Sequence, residues 1–255
     1  MLVLLGLDWE YEVITSTVAD EYLIRRIQPS DIPIIAQIAA TEYFDSELNS
    51  YLCPHRHEYP DHVTRRFIQM IHGRYLNPRS IGFVAIANPG SGSDQTPMGY
   101  AQFIRLGEDA SARELISSQS SLFRTLETWW FKSYTMVLRI ISPDRSLDHK
   151  ALSTFLASCK KDEEIYWENP DMKIKYGNRW HAQSVVVSSK YQRKGIGRRL
   201  MHEALSRARS EGVPVGLEAS IDGEQLYRSL GFVLRGSFSM TLGLSGGGIM
   251  MWVPE

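Results

Sequence analysis

Apolar residues recur at two spacings along this chain, one helical and one strand-like, and the change between them marks the elements. Tyr22 to Ile27 is a β-forming run that predicts a first strand. Pro29-Ser30-Asp31 then supply helix-start residues, and Ile34, Ile35, Ile38 and Ala39 repeat at helical spacing, so a first helix is predicted over about 31–42. Glu42 to His62 is rich in Tyr, His, Asp and Pro and reads as an irregular loop or broken helix. Val63, Phe67, Met70 and Ile71 mark the buried side of a second helix over about 61–76. Ile81 to Ile86 and Met98 to Ile104 read as antiparallel strands around a turn at Asn88 to Asp94.

Residues 108–172 break this rhythm. Helical stretches around 112–140 and 147–165 predict a helical insertion between the third and fourth strands. Its aromatics Trp129, Trp130, Phe131 and Trp167 are expected to form a small core or to pack the insertion onto the sheet; the alternative is an aromatic wall of an acceptor pocket. The strongest strand follows at Ala182 to Val187. A helix opening at Gly195 carries Ile196, Leu200, Met201, Ala204, Leu205 and Ala208 on one face, and Gly212 and Pro214 end it. Then come a strand at 215–220, a short helix at 223–230, a strand beginning at Phe232, and a last strand at 249–253 after the glycine hairpin Gly246 to Gly248. Residues before 20 read as an extension.

The turn between the fourth strand and its helix is Gln192-Arg193-Lys194-Gly195-Ile196-Gly197. A helix start offers free N–H groups and the positive end of the helix dipole, which suits a phosphate. The glycines allow close backbone approach, and Arg193 and Lys194 add charge. Leu200 stands where a dinucleotide-binding loop needs its third glycine, and no Gly-Lys-Ser/Thr occurs. About thirty residues on comes Leu226-Tyr227-Arg228-Ser229-Leu230-Gly231-Phe232.

Strand, basic glycine turn, helix, strand and Leu-Tyr-x-x-x-Gly-Phe together resemble the GNAT superfamily of N-acetyltransferases. The resemblance covers the last third of the chain well and the rest loosely. It implies an α/β (α+β) fold with a mixed, mostly antiparallel central sheet, the fourth and fifth strands splayed apart, and the helical insertion between the third and fourth. It implies one domain over 1–255, with acceptor-side helices in 20–107, the insertion in 108–172, and an acetyl-CoA-binding core in 178–240. Acetyl-CoA is then the cosubstrate. The backbone from Arg193 through Lys194, Gly195, Ile196 and Gly197 to Arg198 would wrap its pyrophosphate, with Gln192 at the entry. Val185, Val186 and Val187 would offer backbone groups to the pantetheine arm, paired as a pseudo-strand, and to the thioester oxygen. Ser220 stands where many members carry an asparagine that contacts pantetheine. Tyr227 matches the family's tyrosine whose hydroxyl faces the sulfur and acts as acid toward the departing thiolate.

Many relatives carry a glutamate on the fourth strand as base, directly or through water. Strict alternation would put His181, Gln183, Val185 and Val187 on one face, none of them acidic. His181 is the candidate base and Glu218 the alternative; His181 as an ordinary strand-end histidine stays open. The expected reaction is transfer of acetyl to a primary amine of a small molecule. The alternatives are an O-acyl or longer-chain acyltransferase, or a CoA-binding module without catalysis.

Composition narrows this further. A net charge of −1 over 255 residues supplies no global field toward nucleic acid or an anionic membrane. Cys53 and Cys159 cannot build a disulfide framework and fit a reducing compartment, so a cytoplasmic enzyme is expected. No apolar run has membrane-spanning length. Cys53, His55, His57 and His62 match no standard zinc spacing, and no metal is expected. Glu42, Asp45 and Glu47 read as a solvated face or as an attractor of a cationic acceptor. A homodimer paired through the C-terminal strand stays open.

Overall fold

The computed structural model describes residues 22–87, 96–240 and 247–254. The extension before residue 20, the turn expected at 88–94 and Gly246 of the glycine hairpin lie outside the described residues. Seven strands form one sheet: β1 (Tyr22–Arg26), β2 (Ser80–Ala87), β3 (Pro97–Leu106), β4 (Arg179–Val187), β5 (Val215–Ala219), β6 (Val233–Gly236) and β7 (Gly248–Trp252). Their order is β1-β2-β3-β4-β5-β7-β6. All neighbouring pairs are antiparallel except β4 and β5. Strand β7 lies between β5 and β6. Both of its edges are used within the chain, so it has no open edge for a second copy, contrary to the pairing considered from the sequence.

The helices are α1 (Ile32–Glu42), α2 (Glu47–Leu52), α3 (Pro60–Leu76), α4 (Ala110–Gln119), α5 (Leu122–Ile141), α6 (His149–Glu163), α7 (Pro170–Tyr176), α8 (Ile196–Glu211) and α9 (Ile221–Arg228). One sheet face is covered by α8. Its predicted stripe, Ile196, Leu200, Met201, Ala204, Leu205 and Ala208, is wholly buried against Phe83, Phe103, Trp180 and Leu217. Burying a leucine-sized side chain is worth about 1.5–3 kcal/mol. The other face has two covers. Helices α1 and α3 pack over the β1–β4 half, where Ile35, Ile71, Tyr100 and Val186 meet. Trp167 and Tyr176 cover Ile249 and Met251 on the β7 side. Between these covers runs a seam.

Asp31 shows how the sequence starts α1. It is 4% exposed. Its carboxylate accepts the Gln28 N–H at 2.7 Å and two bonds from the Arg25 guanidinium at 2.6 and 2.9 Å. One side chain therefore satisfies the helix entry and ties it to β1. The broken stretch after α1 contains α2, begun by Ser46, whose hydroxyl accepts the Asn49 N–H.

The insertion, α4 to α7, does stand between β3 and β4. Its aromatics divide differently from the expectation. Trp167 is buried, but Trp129 and Trp130 are 69% and 72% exposed. Helix α5 leans on α3 through Phe131, whose ring meets His72 at 4.5 Å, and Trp129 and Trp130 face away from that contact. They neither build a core of the insertion nor pack it onto the sheet.

Candidate functional site

Strands β4 and β5 pair over three residues only, Trp180 with Val215, His181 with Gly216 and Ala182 with Leu217. Beyond Ala182, β4 continues to Val187 without a β5 partner. This opens a gap in the middle of the sheet, the splay expected at this place. At the same point the β3–β4 register shifts: Gln102 opposes Ser184 and Phe103 opposes Ala182, so Gln183 is an extra residue, a bulge. The bulge reverses the alternation. Trp180 and Ala182 share one face with Val185 and Val187, on the α8 side. Val186 lies on the α1–α3 side. His181 therefore does not share a face with Val185 and Val187, as strict alternation required; it lies on the seam side.

Two base candidates meet there. His181 Nε2 is 2.8 Å from Glu218 Oε2. On β5, Val215, Leu217 and Ala219 face α8, so Gly216 and Glu218 face the seam. Burial alone would push the Glu218 carboxyl up, but attraction to His181, the hydrogen bond between them and Arg179 outweigh it and hold it below the usual carboxylate range. The Trp167 ring stands edge-on to His181 at 5.7 Å, with the Arg179 guanidinium 4.3 Å from the indole. Gly216 makes this possible, because a Cβ there would lie 2.5 Å from the Trp167 ring. Thus His181 and Glu218, alternatives in the sequence, form one unit under an indole roof. Its imidazole is oriented by a carboxylate, as a general base requires.

The basic turn lies at the end of β4. Gly195 adopts φ +80° and begins α8, and as a glycine it supplies no side chain to cap the helix start. Arg193 also has positive φ, +63°. A left-handed residue beside the helix start turns successive N–H groups to one side, an anion-binding arrangement. Glycine is favoured at Gly195 by its φ. At Gly197 the reason is packing, since a Cβ would come 3.2 Å from Leu226 Cδ2. The turn is anchored from α1: Glu42 accepts the Ser189 N–H at 2.8 Å and a weaker bond from Gln192 Nε2 at 3.5 Å, and Gln192 also donates to the Val187 carbonyl at 3.0 Å. Glu42 is thus a structural tie and not part of a merely solvated face. The Arg198 guanidinium is turned to Ser229, donating to its carbonyl and hydroxyl at 3.3 and 2.8 Å.

Helix α9 positions Tyr227. Ser220 lies one residue past β5 and caps α9, its hydroxyl accepting the Gly223 N–H at 3.2 Å. Gly223 lets the Tyr227 ring close down, a Cβ there lying 3.0 Å from Tyr227 Cε2. Tyr227 is 8% exposed and packs against Phe232. Burial, and then the nearby Tyr43, push its phenol well above the usual tyrosine range, so it stays protonated.

Sequence reasoning missed three residues of the seam. Arg74 of α3 reaches β4, where Nη1 donates to Ser184 Oγ at 2.7 Å. Tyr43 and Tyr100 lie within electrostatic reach of it. A basic residue near a helix end carries no local sign of such a role. The Cys53–His62 stretch goes elsewhere: Cys53 Sγ accepts from Arg66, and His62 Nδ1 accepts the Arg145 N–H at 2.9 Å. Among the described residues no three His, Cys, Asp or Glu side chains group as metal ligands. No helix of the described residues is long and apolar enough to cross a membrane.

Comparison with known proteins bears on the domain and the fold. Residues 157–234 match the family model described as an acetyltransferase (GNAT) domain. A Stachybotrys chartarum protein named acetyltransferase is 25% identical over 213 residues, covering 84% of this chain and 81% of its own. The fold is similar to the crystal structure titled histone acetyltransferase HPA2 and related acetyltransferase from Corynebacterium glutamicum (TM-score 0.55, 16% identity, 92% and 96% of the two chains). It is similar to the same degree to arylalkylamine N-acetyltransferase 2 from Aedes aegypti (TM-score 0.55, 13% identity, 92% and 100%). Residues 157–234 thus match a GNAT acetyltransferase domain, and over the chain as a whole the likeness to the solved structures is one of fold.

Proposed function

We propose that this protein is an acetyltransferase that moves the acetyl group of acetyl-CoA to a primary amine of a small molecule, by direct attack within a ternary complex. The observation that carries the reading is the gap between β4 and β5 with the glycine-led start of α8 at its mouth. A peptide-like pantetheine arm fits a strand edge left without a partner. In this reading, backbone groups of Val185, Val186 and Val187 hold the arm and the thioester oxygen, and N–H groups from Arg193 to Arg198 hold the pyrophosphate. Gln192 braces the turn, and Ser220 keeps a hydroxyl proton for the arm while capping α9. The Glu218-oriented His181 takes the ammonium proton, directly or through a water. Tyr227, kept protonated by burial, gives its proton to the departing thiolate.

The whole chain works as one domain in this reading. Residues 20–107 and the insertion 108–172 shape the acceptor side, and 178–240 hold acetyl-CoA. Both cysteines are free thiols, which suits the cytoplasm. Calorimetry with CoA, followed by CoA-release assays over a broad amine panel, tests the proposal. CoA binding that disappears in a Gly195→Glu/Gly197→Glu variant, with turnover of at least one amine, is expected. No heat with CoA, or an unaffected variant, overturns it.

A further inference from the structure

We propose that the acceptor carries an anionic group, a carboxylate in the first instance, alongside the amine, and that Arg74 receives it. The inference deepens the function proposed above and rests on it. Arg74 is partly buried at the end of α3, and its bond to Ser184 Oγ is its one hydrogen bond among the described residues. No carboxylate of the described residues pairs with it; Arg26, Arg124 and Arg179 share that lack, but each of those lies over an aromatic ring, of Phe83, Tyr75 and Trp167. A guanidinium removed from water without a counter-charge is costly, about several kcal/mol when fully buried. Its planar fork has further donors beyond the one Ser184 occupies, and such a fork matches a carboxylate in two parallel bonds.

The surroundings fit the same ligand. The Tyr100 hydroxyl, on a fully buried residue, lies close to Ser184 but outside hydrogen-bond geometry and has no partner. Tyr43, stacked on Phe67 at 6.0 Å, lies within electrostatic reach of both Arg74 and Tyr227. Tyr43 therefore links the neighbourhoods of the cation and of the Tyr227 phenol. Arg74 stands on the same sheet face as His181. The far side of the seam has the opposite sign, with Glu218 beside His181, and Glu163 and Glu168 near Arg179. An acceptor with its ammonium toward Glu218 and its anion toward Arg74 meets complementary charge at both ends. An uncharged-tail amine would leave Arg74 unpaired.

The test uses matched acceptors that differ only in a carboxylate, such as phenylalanine against phenethylamine and tyrosine against tyramine. CoA release is followed with the full chain at saturating acetyl-CoA. The carboxylated member should win by about 10- to 100-fold in kcat/KM, the range of a charge-assisted hydrogen-bonded pair. Arg74→Met should bring the ratio toward one, mainly through a raised KM for the carboxylated member; Arg74→Lys should keep part of the preference. Preference for the decarboxylated amines, or a ratio unmoved in Arg74→Met, overturns the inference. Should no acceptor release CoA, the proposed function fails, and the subsite is judged by titrating the CoA-loaded protein with benzoate. Binding that Arg74→Met abolishes supports the subsite, and absence of binding refutes it.

Discussion

Removing a single oxygen from Tyr227 separates folding from chemistry. The ring is almost fully buried and packs on Gly223 and Phe232, and phenylalanine keeps all of that contact. The hydroxyl makes no hydrogen bond to the described residues, so its loss leaves no partner stranded. Stability of Tyr227→Phe should stay within about 0.5 kcal/mol of the parent. The reaction should suffer far more. Without an acid beside the sulfur, the leaving group departs as a bare thiolate, and general acid catalysis typically contributes about 10²- to 10⁴-fold. That corresponds to about 2.7–5.5 kcal/mol in the barrier. Urea melts, CoA calorimetry and CoA-release kinetics on the same preparation test the separation. An unchanged melt and CoA affinity with kcat down by at least about a hundredfold is expected. A kcat within a factor of about three of the parent, under conditions where chemistry limits turnover, would refute the role given to the hydroxyl.

Further outcomes follow from the same geometry. His181→Ala and Glu218→Gln should each lower kcat while leaving CoA affinity intact, and the double variant should be little worse than His181→Ala because the carboxylate acts through the imidazole. Fully additive losses in that cycle would contradict the pairing. Gly195→Ala should cost about 1–2 kcal/mol because of its left-handed backbone, whereas Gly197→Ala, inside the helix, should cost less in denaturant melts, since the Leu226 tip that a Cβ would crowd at 3.2 Å can shift and Val187 Cγ2 lies at ordinary contact distance, 3.8 Å. Asp109 should contribute to acid sensitivity, as should Glu218: burial pushes the Asp109 carboxyl up, but the Ala112 N–H and Arg105 outweigh this and hold it low. A depressed folded-state value adds stability above the ordinary carboxylate range and loses it as pH falls through the folded value. Asp109→Asn should therefore flatten the melt-versus-pH curve below about pH 4. Trp129→Gln and Trp130→Gln, both outward-facing, should change stability by less than about 0.5 kcal/mol. Trp167→Ala should cost about 3–5 kcal/mol; equal effects would show that the α5 face is covered in solution.

Local pattern was a good guide where local chemistry decides the structure. The α8 stripe is buried residue for residue, because its helical repeat faces a sheet with no competing choice. The basic glycine turn could likewise be read, since positive φ at Gly195 and an open helix start follow from residue type and order. Pairings across long separations were not legible. His181 and Glu218 are 37 residues apart, and Arg74 and Ser184 are 110 apart. Nothing in either neighbourhood signals the partner. The outward Trp129 and Trp130 were misread for a different reason: aromatic content argues for burial in general, but only the docking angle of α5 decides which side is buried. Ser220 was assigned to the strand because small polar residues suit both a strand end and a helix cap, and the cap prevails.

The extra residue at Gln183 makes one strand serve two compartments. Upstream of it, odd-numbered His181 looks toward the seam; downstream, odd-numbered Val185 and Val187 look toward the opposite layer. Chemistry here thus depends on strand length as well as on side-chain identity. Deleting Gln183 would leave His181, Ser184, Val185 and Val187 on their present faces, because Ala182 and Ser184 already oppose neighbouring residues of β3. What would go is the local bend that a bulge puts into its strand. A chain shortened there should keep its facing pattern and lose part of the divergence of β4 from β5.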